Sequence, residues 1–272
     1  MVTQEQRKRQ LAREKFLRQQ QRRTAARRKA NVRNSVIASV LGVIVVGSVV
    51  SYATGVFKND DSKSNASAEV TPSATPSKAA DPCEKAAEGA VKSLSWKKEP
   101  AMTIDKSAKY EMTLATTCGD IGIALKTSAA PHTVNSFDFL ASEGYFDHTK
   151  CHRLTTNGIY VLQCGDPKGT GMGGPGYTIP DENLKDKTLK NNIYPAGTIA
   201  MANTGQAHTG GSQFFLVYQD SQLPPSYTPF GTVSASGMKV LKKIAAAGEA
   251  TGQGDGAPNA TVVINKATVT KS

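Results

Sequence analysis

From Tyr110 to Leu125 apolar and polar residues alternate in two runs. Tyr110, Met112 and Leu114 mark the first, and Ile121, Ile123 and Leu125 the second, with Cys118-Gly119-Asp120 between them. A period of two interrupted by a Gly-containing turn predicts a β-hairpin with one buried face. Pro131 follows, and Val134, Phe137, Phe139 and Leu140 recur at helical spacing. Proline suits a first helical turn, so a helix is predicted near 132–142. Short apolar runs bounded by turn residues predict strands near 150–155, 159–164, 197–202, 213–218, 228–233 and 261–269. A second helix is predicted from Gly237 to Ala247, with Met238, Val240, Leu241 and Ile244 as its apolar side. Many short strands, Gly-rich turns and two helices predict a closed barrel capped at its ends.

The hydrophobic pattern changes character in the first 57 residues. Ser35 to Phe57 contains no charged residue over 23 positions. About 20 apolar residues suffice for a helix to cross the hydrocarbon core. A basic stretch precedes this run and Asn59-Asp60-Asp61 follows it, so the positive-inside rule places the N-terminus in the cytoplasm and residues after about 58 outside. A cleaved signal peptide is the rival reading, with Ala66-Ser67-Ala68 as its small-residue cleavage site. The apolar run exceeds a usual signal core, which favours an uncleaved single-pass anchor. Both readings export the C-terminal part.

Charge sharpens this division. The net charge is +11, but residues 1–34 hold 12 Lys/Arg against two acids. The other 238 residues hold 21 basic and 20 acidic residues, which gives no electrostatic footprint for nucleic acid. The basic segment reads first as a topology signal; attraction to anionic lipid would add ~1 kcal/mol per basic residue near the surface. Residues 58–82 are rich in Ser, Ala, Thr, Pro, Lys and Asp and read as a tether. The mixed stretch 83–100, with Trp96, reads as a lead-in that partly packs on the domain. The expected organisation is therefore a basic cytoplasmic segment (1–34), a transmembrane helix (35–57), a linker and lead-in (58–107) and a β-rich domain (108–272).

Candidate chemistry lies in two stretches. One runs Gly210-Gly211-Ser212-Gln213-Phe214-Phe215-Leu216-Val217; the other holds Cys151-His152-Arg153-Leu154 and Tyr160-Val161-Leu162-Gln163-Cys164. They put an Arg, two Gln and several apolar side chains on strands, with no nucleophilic triad or acid–base pair beside them. His132, His148, His152 and His208 lack metal-ligand spacing, so no metal is expected. Gly169 to Gly176 lacks the Gly-Lys-Ser/Thr ending of a phosphate loop. Binding and twisting of a peptide suits these residues better than bond cleavage.

Eight blocks in order carry a family likeness: Thr133–Phe137, Gly144–Asp147, His152–Leu154, Tyr160–Pro167, Gly171–Tyr177, Met201–Asn203, Gly211–Phe215 and Pro229–Gly231. The domain resembles the cyclophilins, the cyclosporin-binding peptidyl-prolyl cis-trans isomerases, and is most similar to the membrane-anchored actinobacterial forms. The resemblance implies a closed eight-stranded antiparallel β-barrel capped by two α-helices. It implies that Arg153 is catalytic, with Gln163 holding both the arginine and the substrate backbone. Tyr160, Val161, Phe215 and Leu223 would wall a proline pocket, with Tyr227 beside it. Ala202, Asn203 and Gln213 would line the groove for preceding residues, with Gly171 on a loop next to it. Tyr160 stands where many members have Phe, Tyr227 where they often have His, and Gln222 where strongly cyclosporin-sensitive members have Trp. Weak cyclosporin binding is expected. The implied partners are proline-containing peptides and unfolded exported proteins, with no cofactor. The alternative is a non-catalytic proline-peptide binding chaperone or scaffold tethered to the membrane. Cys83, Cys118, Cys151 and Cys164 permit three pairings, and sequence does not choose among them. Export makes disulfides plausible. Cys151 and Cys164 fall on expected neighbouring strands, which would leave Cys83 to tie the lead-in to Cys118.

Overall fold

The computed structural model describes residues 80–272. The expected basic segment, transmembrane helix, cleavage site and most of the tether lie outside the described residues. Among the described residues no helix is long and apolar enough to cross a membrane.

The first two strands, β1 (Tyr110–Thr116) and β2 (Gly119–Leu125), form the expected hairpin, with Met112 facing Ile123 and Leu114 facing Ile121. Their alternate side chains are buried, as a one-sided strand requires. Helix α1 (Pro131–Ser142) begins on a proline. Its preceding residue, Ala130, has no side-chain acceptor, and the Glu182 carboxylate caps the helix from a distance. It accepts from the backbone N–H groups of His132 (3.0 Å) and Thr133 (2.9 Å) and from the Thr133 hydroxyl (2.8 Å).

The remaining strands are β3 (Thr149–Lys150), β4 (Arg153–Thr155), β5 (Val161–Cys164), β6 (Ile193–Tyr194), β7 (Thr198–Met201), β8 (Phe214–Val217), β9 (Ser221–Gln222), β10 (Pro229–Val233), β11 (Asp255–Gly256) and β12 (Val263–Lys271). Helix α2 (Ala235–Ala246) is capped by Ser234, whose hydroxyl accepts from the Gly237 N–H at 3.1 Å. Gly237 is required here: a Cβ would come within 2.8 Å of Val233 and 3.2 Å of Ile121.

Ten strands form one antiparallel sheet in the order β11-β4-β5-β8-β7-β10-β2-β1-β12-β3, and β6 pairs with β9 separately. This corrects the expected closed eight-stranded barrel. The sheet is curled and its two end strands do not pair. The stretch expected as one strand at 150–155 is divided at Cys151-His152. One part, β3, bonds to β12 and the other, β4, to β5. The short strands β6, β9 and β11 carry no periodic signal and were not expected.

Phe137 of α1 anchors the main core. Its ring lies 4.6 Å from that of Phe230, 5.3 Å from Phe146 and 5.6 Å from Phe214. Burial of such a side chain contributes roughly 2–3 kcal/mol. A smaller cluster of Val161, Tyr194, Ala200, Phe215, Val217 and Leu223 occupies the opposite face of β5, β8 and β7. Strand β8 is therefore buried on both faces.

The lead-in is held by polar contacts and a covalent bond. The buried Asn135 amide oxygen accepts from the Thr103 N–H at 2.8 Å, and its nitrogen donates to the Ala101 carbonyl at 3.0 Å. Trp96 stacks edge-on against Phe139 at 5.0 Å. Disulfides join Cys83 to Cys118 and Cys151 to Cys164, across sequence separations of 35 and 13. Chain-entropy accounting assigns about 4 kcal/mol to the longer loop and about 3 kcal/mol to the shorter. Replacing Cys83 and Cys118 together by Ala is expected to lower the unfolding free energy by about 4 kcal/mol, read from denaturant midpoints at constant slope.

Candidate active site

Strand pairing aligns the site. Arg153 of β4 lies opposite Gln163 of β5, Gln163 opposite Phe215 of β8, and Phe215 opposite Ala200 of β7. Two-residue periodicity then puts Val161 beside Val217 on the same outer face. The separate β6–β9 pair brings Tyr194 and Leu223 over that face. Tyr194 donates from its hydroxyl to the Tyr227 carbonyl at 2.8 Å, fixing the segment that carries Tyr227. The Phe215 and Tyr227 rings meet edge-on at 5.3 Å.

These elements enclose a cavity of about 240 Å³. Arg153 and Gln163 form its polar side, while Val161, Phe215, Leu223 and Tyr227 supply much of the apolar wall. Ala202 and Asn203 sit where it joins a second, wider groove of about 980 Å³. Gln213 and Gly171 line the wider groove. The smaller cavity falls below the size range of drug-like ligand pockets, roughly 300–1,000 Å³, and suits one compact apolar group with its flanking backbone.

One expected wall residue is elsewhere. Tyr160 packs against the main core, 5.9 Å from the Tyr218 ring, and Ile159 lines the cavity in its place. The reason is the pleat. Residues 159, 161 and 163 share one face, so Tyr160 must point the other way. An isolated bridge between Asn157 and Ile159, around Gly158 at φ 76°, fixes this register.

Polar contacts run along the floor. Arg153 donates from Nε and Nη2 to the two carboxylate oxygens of Asp255, each at 2.7 Å, and from Nη1 to the Gln163 amide oxygen at 3.2 Å. The Gln163 amide nitrogen donates to Gln213 Oε1 at 2.9 Å, and Gln213 Nε2 donates to the Gly173 carbonyl at 2.9 Å. A guanidinium has five N–H donors, so two remain for a ligand. The hydrogen bond to Asp255 raises the Arg153 pKa above its ordinary value, with burial opposing. The same bond lowers that of Asp255, again against burial. Asp255 was not expected from sequence. It lies 102 residues from Arg153 in a Gly-rich loop, where no periodic pattern marks a strand.

Asp166 organises the rim of the wider groove. Fully buried, it accepts from the backbone N–H groups of Lys168 (2.8 Å), Thr170 (2.9 Å), Gly171 (2.7 Å) and Met172 (3.1 Å). Burial opposes its charge, but hydrogen bonds from Gly173, Lys168 and Thr170 outweigh it and hold the carboxyl below its ordinary pKa. Among the described residues, no three His, Cys, Asp or Glu side chains gather as a metal site.

The family model described as cyclophilin type peptidyl-prolyl cis-trans isomerase/CLD matches residues 111–269. The chain belongs to this cyclophilin family. It is 51% identical over 165 residues to the probable peptidyl-prolyl cis-trans isomerase B of Mycobacterium leprae, covering 58% of this chain and 56% of that protein. Identity to the probable isomerase B of Mycobacterium tuberculosis is 50% over 165 residues, covering 58% and 53%. The match thus spans about half the length of these relatives. Peptidyl-prolyl cis-trans isomerase B of Bacillus subtilis is 41% identical over 125 residues, covering 46% of this chain and 82% of that protein. The crystal structure of a Cryptosporidium parvum cyclophilin type isomerase superposes with a TM-score of 0.50 at 26% identity, covering 60% of this chain and 99% of that one. Together these establish a mainly β cyclophilin fold with two helices.

Asp166→Asn exchanges one acceptor oxygen for a donor facing N–H groups. The expected cost is about 3 kcal/mol of stability at neutral pH, with faster hydrogen exchange at Gly171 and Met172. The carboxylate's contribution is present above its unfolded pKa of about 3.9 and is lost as pH falls through its lower folded value. Wild type and variant should therefore converge in strong acid, which urea titrations across pH would read.

Proposed function

We propose that the chain is a peptidyl-prolyl cis-trans isomerase that assists the folding of exported proteins. The observation that carries this reading is an arginine held by two partners on the polar side of an otherwise apolar cavity sized for a proline ring and its flanking backbone. The uncharged run 35–57 supports a single-pass anchor with a cytoplasmic N-terminus and the cyclophilin domain outside the cell membrane. Two disulfides agree with an oxidising location.

The reaction sets the requirements. Rotation about an X–Pro bond meets a barrier of about 20 kcal/mol, while its isomers differ by only ~0.5–1 kcal/mol. The barrier is amide resonance, so a catalyst must bind the twisted state better than either planar state. Twisting returns a lone pair to the proline nitrogen. The two uncommitted N–H groups of Arg153 can donate to that nitrogen and to a neighbouring carbonyl. The guanidinium stays protonated throughout, so no proton transfer is needed. Phe215, Val161, Ile159 and Leu223 grip the ring while the acyl side turns in the wider groove past Ala202, Asn203 and Gln213. Exclusion of water by this wall strengthens the arginine contact. The chemistry calls for no nucleophile, metal or cofactor.

Arg153→Ala is expected to lower kcat/KM for a proline peptide by roughly 10²-fold while circular dichroism and melting stay near wild type. An unchanged rate would overturn the isomerase mechanism. Peptide binding by a wild-type protein without catalysis would establish the tethered chaperone instead. Gln222 is exposed on β9, outside the cavity lining. Cyclosporin should therefore bind more weakly than to members with Trp at that position, as read by calorimetric titration; an equal affinity would refute this.

A further inference from the structure

We propose that Asp255 is a positioning residue that holds the Arg153 guanidinium in its working orientation. This rests on the reading of Arg153 as the group that contacts the twisted amide. Both carboxylate oxygens engage one edge of the guanidinium, Nε and Nη2, at 2.7 Å each. Two parallel bonds fix the plane as well as the position of the group. Gln163 alone, through one 3.2 Å bond, leaves the plane free to rotate. With both partners in place, three of five donors are committed and the remaining two have defined directions.

Exposure argues that this pair serves orientation more than stability. The Arg153 side chain is 37% exposed and that of Asp255 56%. Ion pairs so open to water contribute little to folding. A free arginine, by contrast, loses considerable rotamer freedom when it binds, and prior fixation removes that loss from the reaction.

The chain also invests in placing Asp255. The residue pairs with Thr155 and its neighbour Gly256 with Leu154, so β11 lies antiparallel beside the strand that carries Arg153. Glu249, buried in the preceding turn, accepts from the Thr251 N–H at 2.6 Å, the Thr251 hydroxyl at 2.7 Å and the Gly254 N–H at 2.8 Å. The Gly254 carbonyl in turn accepts from the Thr156 N–H at 2.9 Å. Gly254 sits at φ 90°, with Asn157 against the place a side chain would take. The loop is thus tied on both sides of the carboxylate.

The test is a double-mutant cycle in the full chain with Asp255→Asn, Arg153→Ala and the pair, using a proline peptide. Asp255→Ala repeats the measurement without an amide. Asp255→Asn should lower kcat about tenfold, equivalent to about 1.4 kcal/mol, with KM and melting temperature near wild type. The Arg153 Nε–H proton resonance should be protected in wild type and lost in the variant. In the Arg153→Ala background the second substitution should change nothing. An unchanged kcat for Asp255→Asn, or an equal loss when Arg153 is already absent, would overturn the proposal. Wild-type activity in Arg153→Ala alone would instead remove the arginine mechanism on which it rests.

Discussion

Phe214 and Leu216 of β8 face the main core, while Phe215 and Val217 face the smaller cluster, where Phe215 lines the cavity. The site depends on this double burial. A strand packed on one side only can slide or breathe, but here a shift of one residue would send Phe215 into the core and Phe214 into the cavity. Both faces resist that exchange. The neighbours inherit the register, because Gln163 and Ala200 are set directly opposite Phe215. One strand thereby places the apolar wall and, through Gln163, the arginine.

The polar half of the site has a different construction. Its groups are half-exposed and would be mobile singly, so each is tied to another. Asp255 and Gln163 hold Arg153, Gln213 holds Gln163, and the Gly173 carbonyl holds Gln213. Gly173 belongs to the loop that Asp166 draws in with its buried carboxylate. Removing an interior member frees its neighbours to turn toward water, so the loss falls on the orientation of the site more than on the stability of the fold.

The hairpin β1–β2 and both helices were legible because each has one buried face, and a one-sided burial pattern repeats with the period of its element. Strand β8 carries no such alternation, since all four of its residues are buried. Its role emerged only from the surrounding Gly-Gly-Ser-Gln motif and the family resemblance. The resemblance implies Tyr160 in the cavity wall, but position along a motif does not reveal the pleat, and the turn at Gly158 sets Ile159 there instead. The open sheet was hidden for a similar reason. The stretch around Arg153 reads as one strand, yet Cys151-His152 breaks it into two short pieces bonded to different partners. Asp255 was invisible because its partner is distant in sequence and its own strand is two residues long.

Stability and chemistry are largely separated in this domain. The aromatic cluster around Phe137, the two disulfides and the polar ties of Asn135 and Glu182 hold the fold, and none of these residues lines the cavity. Arg153 and Asp255, facing water, contribute little to it. Binding a peptide over them would change that balance, because excluding water strengthens every interaction the guanidinium makes. A contact weak in the free protein can thus be strong where it is needed, once a proline ring closes the cavity. An exposed arginine that had to find its orientation only then would lose much of that gain to ordering, which is why the fixed carboxylate beside it belongs to the function of the site.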